Sequence, residues 1–198
     1  MEKISDFEWN RQLFHIFLGI VFVVLYMYGL IGKSLILSLI VVGIILSYFS
    51  RTSKIPIICD LLNIFERKKE RENFPGKGII FYFIGVYVVL LLPFPKEVTL
   101  ASIMVLALGD SVSHLYGLHY GKIKHPLSKT KFLEGTIAGF IAGFIGAFVF
   151  LPWYEALFAS LAAMIVEAIE IKIGTQQIDD NLIVPLVAAS AVLLVRII

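Results

Sequence analysis

The chain has 198 residues, 59% of them hydrophobic and 16% charged, with a formal net charge of +2. A soluble domain carries about 25% charged and about 45–50% apolar residues. This balance therefore excludes an ordinary soluble enzyme, a disordered chain and a nucleic-acid module. A single cysteine, Cys59, rules out a disulfide framework.

The apolar residues fall in long blocks rather than alternating, which predicts an all-α, polytopic membrane protein and not a β-barrel. The opening MEKISDFEWNRQ is polar, and no small-residue cleavage site follows the first apolar block, which reads as a retained span. Seven blocks follow one another: Leu13–Ile31, Ser34–Phe49, Gly78–Pro93, Val98–Gly117, Thr136–Leu151, Ala156–Ile173 and Leu182–Ile198. They predict one membrane-embedded domain over residues 1–198.

Charge orients the bundle. With seven spans, fourteen of the seventeen Lys and Arg residues fall on the amino-terminal side, leaving Lys33, Lys96 and Arg196 on the other. Positively charged loops stay inside, so the amino terminus is expected in the cytoplasm. Thirteen of fifteen acids lie on that side too, Glu97 and Glu155 excepted. The outer connections are short and chemically poor. A transporter needs polar groups through the depth of its bundle, whereas this pattern predicts an enzyme working at the cytoplasmic interface.

Taken along the chain, the first cluster is Glu8, Arg11, His15 and Gly19, one helical stripe entering the membrane. It reads either as a helix-start charge pair or as the polar wall of a pocket. The basic run Arg67–Arg71 suits anionic headgroups. The Pro75-Gly76-Lys77-Gly78 segment after it can offer an ammonium and free N–H groups to a phosphate. Asp110 stands 12 residues after Val98, about 18 Å along a helix, inside the apolar zone where an unpaired carboxylate is costly. On that helix Ser113, His114 and Gly117 share its face.

Lys122, Lys124, Lys129 and Lys131 follow within ten residues, with Ser128 and Thr130 between them and Glu134-Gly135 at the next helix start. Cations and hydroxyls suit a polyphosphate; Asp110 and Glu134 suit the Mg²⁺ that accompanies one. Gly135, Gly139 and Gly143 predict a close helix-packing seam. The final cluster is Glu167, Glu170, Asp179, Asp180 and Asn181, which suits a second metal, hydroxyl activation or a helix cap.

In this order the motifs resemble those of the CTP-dependent lipid-alcohol kinases: dolichol and polyprenol kinases, phytol kinases and CTP-using diacylglycerol kinases. The resemblance spans nearly the whole chain. It rests on Glu8-x-x-Arg11-x-x-x-His15-x-x-x-Gly19, and on Arg67-Lys68-x-Glu70 with Lys77-Gly78. Further along, Gly109-Asp110 with Gly117 and Gly121-Lys122, Lys131-x-x-Glu134-Gly135, and Asp179-Asp180-Asn181-x-x-x-Pro185 carry it. Gln12 and Leu118 stand where a basic residue is common in that family, and His114 where a small one is.

The resemblance implies transfer of the γ-phosphate of CTP to a membrane isoprenoid alcohol. Asp110 and Glu134 are then expected on Mg²⁺, with Lys77, Lys122, Lys129 and Lys131 on phosphates beside Gly109, Gly117, Gly121 and Gly135. Asp179 or Asp180 would activate the alcohol, with His15 as rival base, and Glu8, Arg11, His114 and Asn181 would line the pocket. Two alternatives are cytidylyl transfer to a lipid phosphate, as in the similar CDP-diacylglycerol synthases, and a lipid-binding scaffold without catalysis. No nucleic-acid partner is expected, and assembly into a homo-oligomer is left open.

Overall fold

A computed structural model describes residues 6–52, 60, 62, 64–66, 74–169, 171–173 and 176–197 of the chain. Hydrocarbon offers no partner to a backbone N–H or C=O, so an apolar run closes its hydrogen bonds within itself as a helix. Among the described residues these helices are α1 (Asp6–Met27), α2 (Lys33–Thr52), α3 (Lys77–Leu91), α4 (96–120), α5 (Leu133–Phe148), α6 (Trp153–Ala168) and α7 (Asp180–Ile197). One helix answers to each apolar block. Four of them, α1, α2, α4 and α7, are long and apolar enough to cross a membrane, while α3 and α5 are shorter apolar helices. The basic run Arg67–Arg71 and Glu170 lie outside the described residues.

Two local departures matter. The sixth block was expected to run to Ile173, but α6 stops at Ala168 and Ile169 turns extended (φ −89°, ψ 122°). The chain then pairs Lys172 with Gln177 and Ile173 with Gln176 in a two-residue hairpin that leads into α7. The second departure is in α4, where a π-helical turn over Val105–Asp110 separates α-helical Lys96–Met104 from Ser111–Tyr120. A π turn inserts an extra residue and re-aims the side chains that follow.

The chain alternates direction from helix to helix. At one end Lys96 Nζ donates to the Met27 carbonyl (3.0 Å), and Arg196 grips Glu155 with Nε and Nη2 (3.0 and 2.8 Å) and Glu97 with Nη1 (3.2 Å). The opposite end gathers the starts of α1, α3, α5 and α7 and the ends of α4 and α6. Helix α4 is the hub: 72% of its apolar stretch is buried, against 28%, 17% and 28% for α1, α2 and α7. Val98, Ile103, Val105 and Leu106 form the core with Val86, Met164, Val184 and Val192. Leu13, Phe17, Ile20 and Val24 of α1, and Ile137, Ile141 and Ile145 of α5, point outward, as lipid-facing stripes do.

The expected glycine seam is present. A Cβ on Gly135 would meet Ser113 O at 2.5 Å, and one on Gly139 would meet Gly109 O and Ser113 Cβ at 2.6 Å. A Cβ on Gly143 would meet Ser160 Oγ at 2.6 Å. Helix α5 therefore lies backbone-close against α4 and α6, the packing that small residues permit. Gly19 of α1 does the same against Ala107 in the π turn (2.3 Å to its Cβ).

Candidate active site

A cleft of about 590 Å³ opens at the crowded end of the bundle. Its walls come from Arg11 and His15 of α1, the Gly76–Gly78 entrance to α3, Asp110, Ser113 and His114 of α4, Lys131, Glu167 and the Asp179–Asn181 turn. Phe14, Leu62, Phe65 and Leu118 give it an apolar flank, in which the Phe14 and Phe65 rings stack at 4.4 Å.

Its floor is a carboxylate cluster. One oxygen each from Asp110, Glu167 and Asp180 lies within 4.8 Å of the other two. Three helices deliver them: the π turn sets Asp110, the last turn of α6 sets Glu167, and the first turn of α7 sets Asp180. Lys131 Nζ donates to Glu167 Oε1 (2.7 Å) and Asp180 Oδ2 (2.9 Å), and also to the Glu167 carbonyl. Burial works against the Lys131 ammonium, but Glu167, Asp180 and Asp110 outweigh it and raise its pKa. Ser113 Oγ donates to Glu167 Oε2 at 3.4 Å. Asp110 takes no hydrogen bond from any described residue, so three carboxylates face a single ammonium. That excess negative charge, carried on hard oxygen donors, fits a divalent cation such as Mg²⁺.

A second carboxylate is held apart from this cluster. Asp179 Oδ1 accepts from the N–H and the side-chain amide of Asn181 (3.2 and 2.9 Å), while Oδ2 stands 4.0 Å from Lys77 Nζ. Burial raises the Asp179 pKa, and the Asn181 hydrogen bonds and the Lys77 ammonium partly offset it. Lys77 itself is placed by Glu66, which accepts from the N–H of Gly76 and of Lys77 (both 2.8 Å). Gly76 takes φ +79°, a left-handed conformation that suits glycine.

On the α1 wall Glu8 meets His114 Nε2 at 3.1 Å and Arg11 at 3.5 Å. The His15 ring packs edge-on against buried Tyr82 at 5.3 Å. The structure thus draws together Arg11, His15, Lys77, Asp110, His114, Gly117, Lys131, Asp179, Asp180 and Asn181 around one cleft.

Other expected site residues are placed elsewhere. Glu134 does not join Asp110: it accepts from the N–H of Lys122 (3.1 Å) and Ile123 (3.1 and 3.2 Å) and braces the loop before its helix. A carboxylate in the first turn of a helix bonds nearby free N–H groups at little cost, and that geometry prevails here. Lys122 and Lys129 are exposed outside the cleft. Gly109 and Gly135 serve backbone packing, and Gly121 makes room for Phe132, whose Cγ a Cβ there would meet at 2.3 Å.

Glu167 and Glu170 stood as equals in the sequence, and nothing there pointed to Glu66, which places Lys77. Glu167 had a usable signal, since a carboxylate 12 residues after Glu155 in an apolar block meets the argument applied to Asp110.

No family model matches the chain, and no solved structure does. An uncharacterised protein of Methanocaldococcus jannaschii is 35% identical over 188 residues, 92% of this chain and 91% of its own length. The CTP-dependent diacylglycerol kinase 1 of Schizosaccharomyces pombe is 28% identical over 140 residues, 64% of each chain. The Saccharomyces cerevisiae enzyme of the same name is 26% identical over 166 residues, 79% of this chain and 54% of its own. The match therefore spans 64% of the first of these kinases and 54% of the second. Taken with the ordered motifs that converge on one cleft, these similarities relate the chain to the CTP-dependent diacylglycerol kinases.

Proposed function

We propose that the cleft transfers the terminal phosphate of CTP to the hydroxyl of a membrane isoprenoid alcohol. The observation that carries this reading is the three-carboxylate cluster beside Lys131, set within one cleft against an apolar flank. Phosphoryl transfer is mostly positioning and charge neutralisation, and the groups here suit both. Mg²⁺ would be held by Asp110, Glu167 and Asp180, and when bound it would neutralise charge on the phosphates. Lys131 and Lys77 would grip the phosphate oxygens.

Asp179, fixed by Asn181, would take the proton of the acceptor hydroxyl as its oxygen bonds to the γ-phosphorus and CDP departs. His15, on the α1 wall of the cleft, is the rival base. The apolar flank would hold the first part of the acceptor chain. The cleft lies at the end of the bundle that carries the lysines of the 121–132 loop, which would face the cytoplasm.

A second acceptor, diacylglycerol, is favoured by the two yeast relatives. The test is incubation of purified protein with Mg²⁺, prenols, diacylglycerol and phosphatidic acid, with CTP labelled separately at the α and γ positions. Label from γ alone in a prenol supports the reading, and γ label in diacylglycerol moves the acceptor. Label from α makes the protein a cytidylyltransferase. No lipid label from folded protein overturns catalysis altogether.

A further inference from the structure

The loop 121–132 carries four lysines and no acid, yet only Lys131 among them turns into the cleft. Lys122, Lys124 and Lys129 are exposed. So are Ile123 and Leu127, at 59% and 53%, with Tyr120 just before them at 51%.

This loop is a built structure. The Leu133 N–H donates to Ile123 O (2.9 Å), His125 N–H to Lys131 O (3.0 Å) and Ser128 N–H to His125 O (3.1 Å). Lys124 bridges Phe132 in antiparallel fashion, and its ammonium sits 3.8 Å from the centre of the Phe132 ring. Glu134 ties down the N–H groups of Lys122 and Ile123. The loop therefore holds an isoleucine and a leucine away from the protein rather than folding them inward, against the usual gain from burying such side chains. Apolar side chains interleaved with exposed lysines, right where a transmembrane helix ends, match the headgroup layer. The apolar groups reach the acyl boundary there while the ammoniums meet phosphates.

We propose that this hairpin is an anionic-phospholipid docking surface, with Ile123 and Leu127 inserted and Lys122, Lys124 and Lys129 on lipid phosphates. Lys131 sits on the returning arm of the same hairpin and reaches Glu167 and Asp180. Headgroup contact would thus steady one wall of the cleft. The proposal stands independently of the kinase reading.

The test uses the full chain with Trp9→Phe, Trp153→Phe and Leu127→Trp, reconstituted in nanodiscs containing acyl-brominated phosphatidylcholine or brominated phosphatidylglycerol. Quenching of the new tryptophan is expected in both. The anionic lipid should be enriched by about fivefold for each engaged lysine, the contribution of one basic residue at an anionic surface. Lys122→Gln, Lys124→Gln and Lys129→Gln together should abolish that preference while leaving the Lys131 ion pairs intact. Emission that no brominated lipid quenches would overturn the proposal. So would equal quenching by the two lipids, or a tryptophan that responds to CTP with Mg²⁺ instead of to phosphatidylglycerol.

Discussion

Replacing Lys131 by methionine keeps an unbranched stem of similar length and removes the one ammonium among three carboxylates. Its side chain is 20% exposed, against 4% for Glu167 and 27% for Asp180. Deleting one partner of a buried ion pair costs about 3–5 kcal/mol, because the other charge remains buried and unpaired. Water reaching Asp180 recovers some of that, which places the loss near ~3 kcal/mol. In a chain of this size each kcal/mol moves the melting temperature by about 2–4 °C, so Lys131→Met should melt about 6–12 °C lower. The emission of Trp9 and Trp153 in detergent reads this directly.

Two further readings separate the ion pair from general damage. Adding Glu167→Gln to Lys131→Met should restore part of the loss, since the amide carries no uncompensated charge. Mg²⁺ should raise the melting temperature of Lys131→Met by more than it raises that of the wild type, because the cation then replaces the missing ammonium. Turnover should stay low even with Mg²⁺, by on the order of 10²–10³-fold, the usual loss of one charge-stabilising donor. A Lys131→Met protein that melts within about 1 °C of wild type, with an unchanged response to Mg²⁺, would refute this account of the cluster.

Other substitutions probe other parts. Asp110→Asn should cut turnover by on the order of 10²-fold or more and shrink the Mg²⁺-dependent rise in melting temperature; activity near wild type would remove Asp110 from the metal site. Arg196→Met leaves Glu155, 4% exposed, without its guanidinium at the far end of the bundle. It should cost roughly 2–3 kcal/mol while KM for CTP stays unchanged, which thermal unfolding and steady-state kinetics report together.

The helices were legible because membrane spans must be apolar along their whole length, so Gly78–Pro93 falls within two residues of Lys77–Leu91 at each end. The overrun at Ile169–Ile173 has the same cause. Three isoleucines among those five residues carry the apolar block past its helix, and hydropathy does not report the extended backbone at Ile169. The π turn was illegible, because the inserted residue depends on how Gly109 meets Met164 and Gly139 across the bundle.

Site residues carried on polar breaks in the apolar pattern, such as Asp110, Lys77 and the Asp179–Asn181 turn, stood out in the sequence and do meet in space. Their pairing did not stand out. That Lys131 answers Glu167 and Asp180 while Glu134 answers its own loop is decided by contacts 36 and 49 residues apart against contacts 11 and 12 residues apart.

Gly139 is where fold and chemistry are joined. It sits on α5 opposite the layer of Gly109, Ser113 and Met164, the residues that flank Asp110 and Glu167. A methyl group there would lie 2.6 Å from Gly109 O, 2.6 Å from Ser113 Cβ and 2.9 Å from Met164 Sδ. Methionine can swing aside, but a backbone carbonyl and a Cβ cannot, so α5 must back away from α4. Overpacking of this kind costs about 1–3 kcal/mol, and Gly139→Ala should therefore lower the melting temperature by roughly 2–12 °C. Because Ser113 also donates to Glu167, the shift should loosen the carboxylate cluster and weaken the stabilisation by Mg²⁺, although Gly139 touches neither cation nor substrate.

Gly32→Ala is the control: it meets nothing within 4 Å at its new Cβ, and both readouts should match wild type. If Gly139→Ala lost stability yet kept the full Mg²⁺ response, the glycine seam would serve packing alone, and the carboxylates would be positioned by α6 and α7 without help from α5.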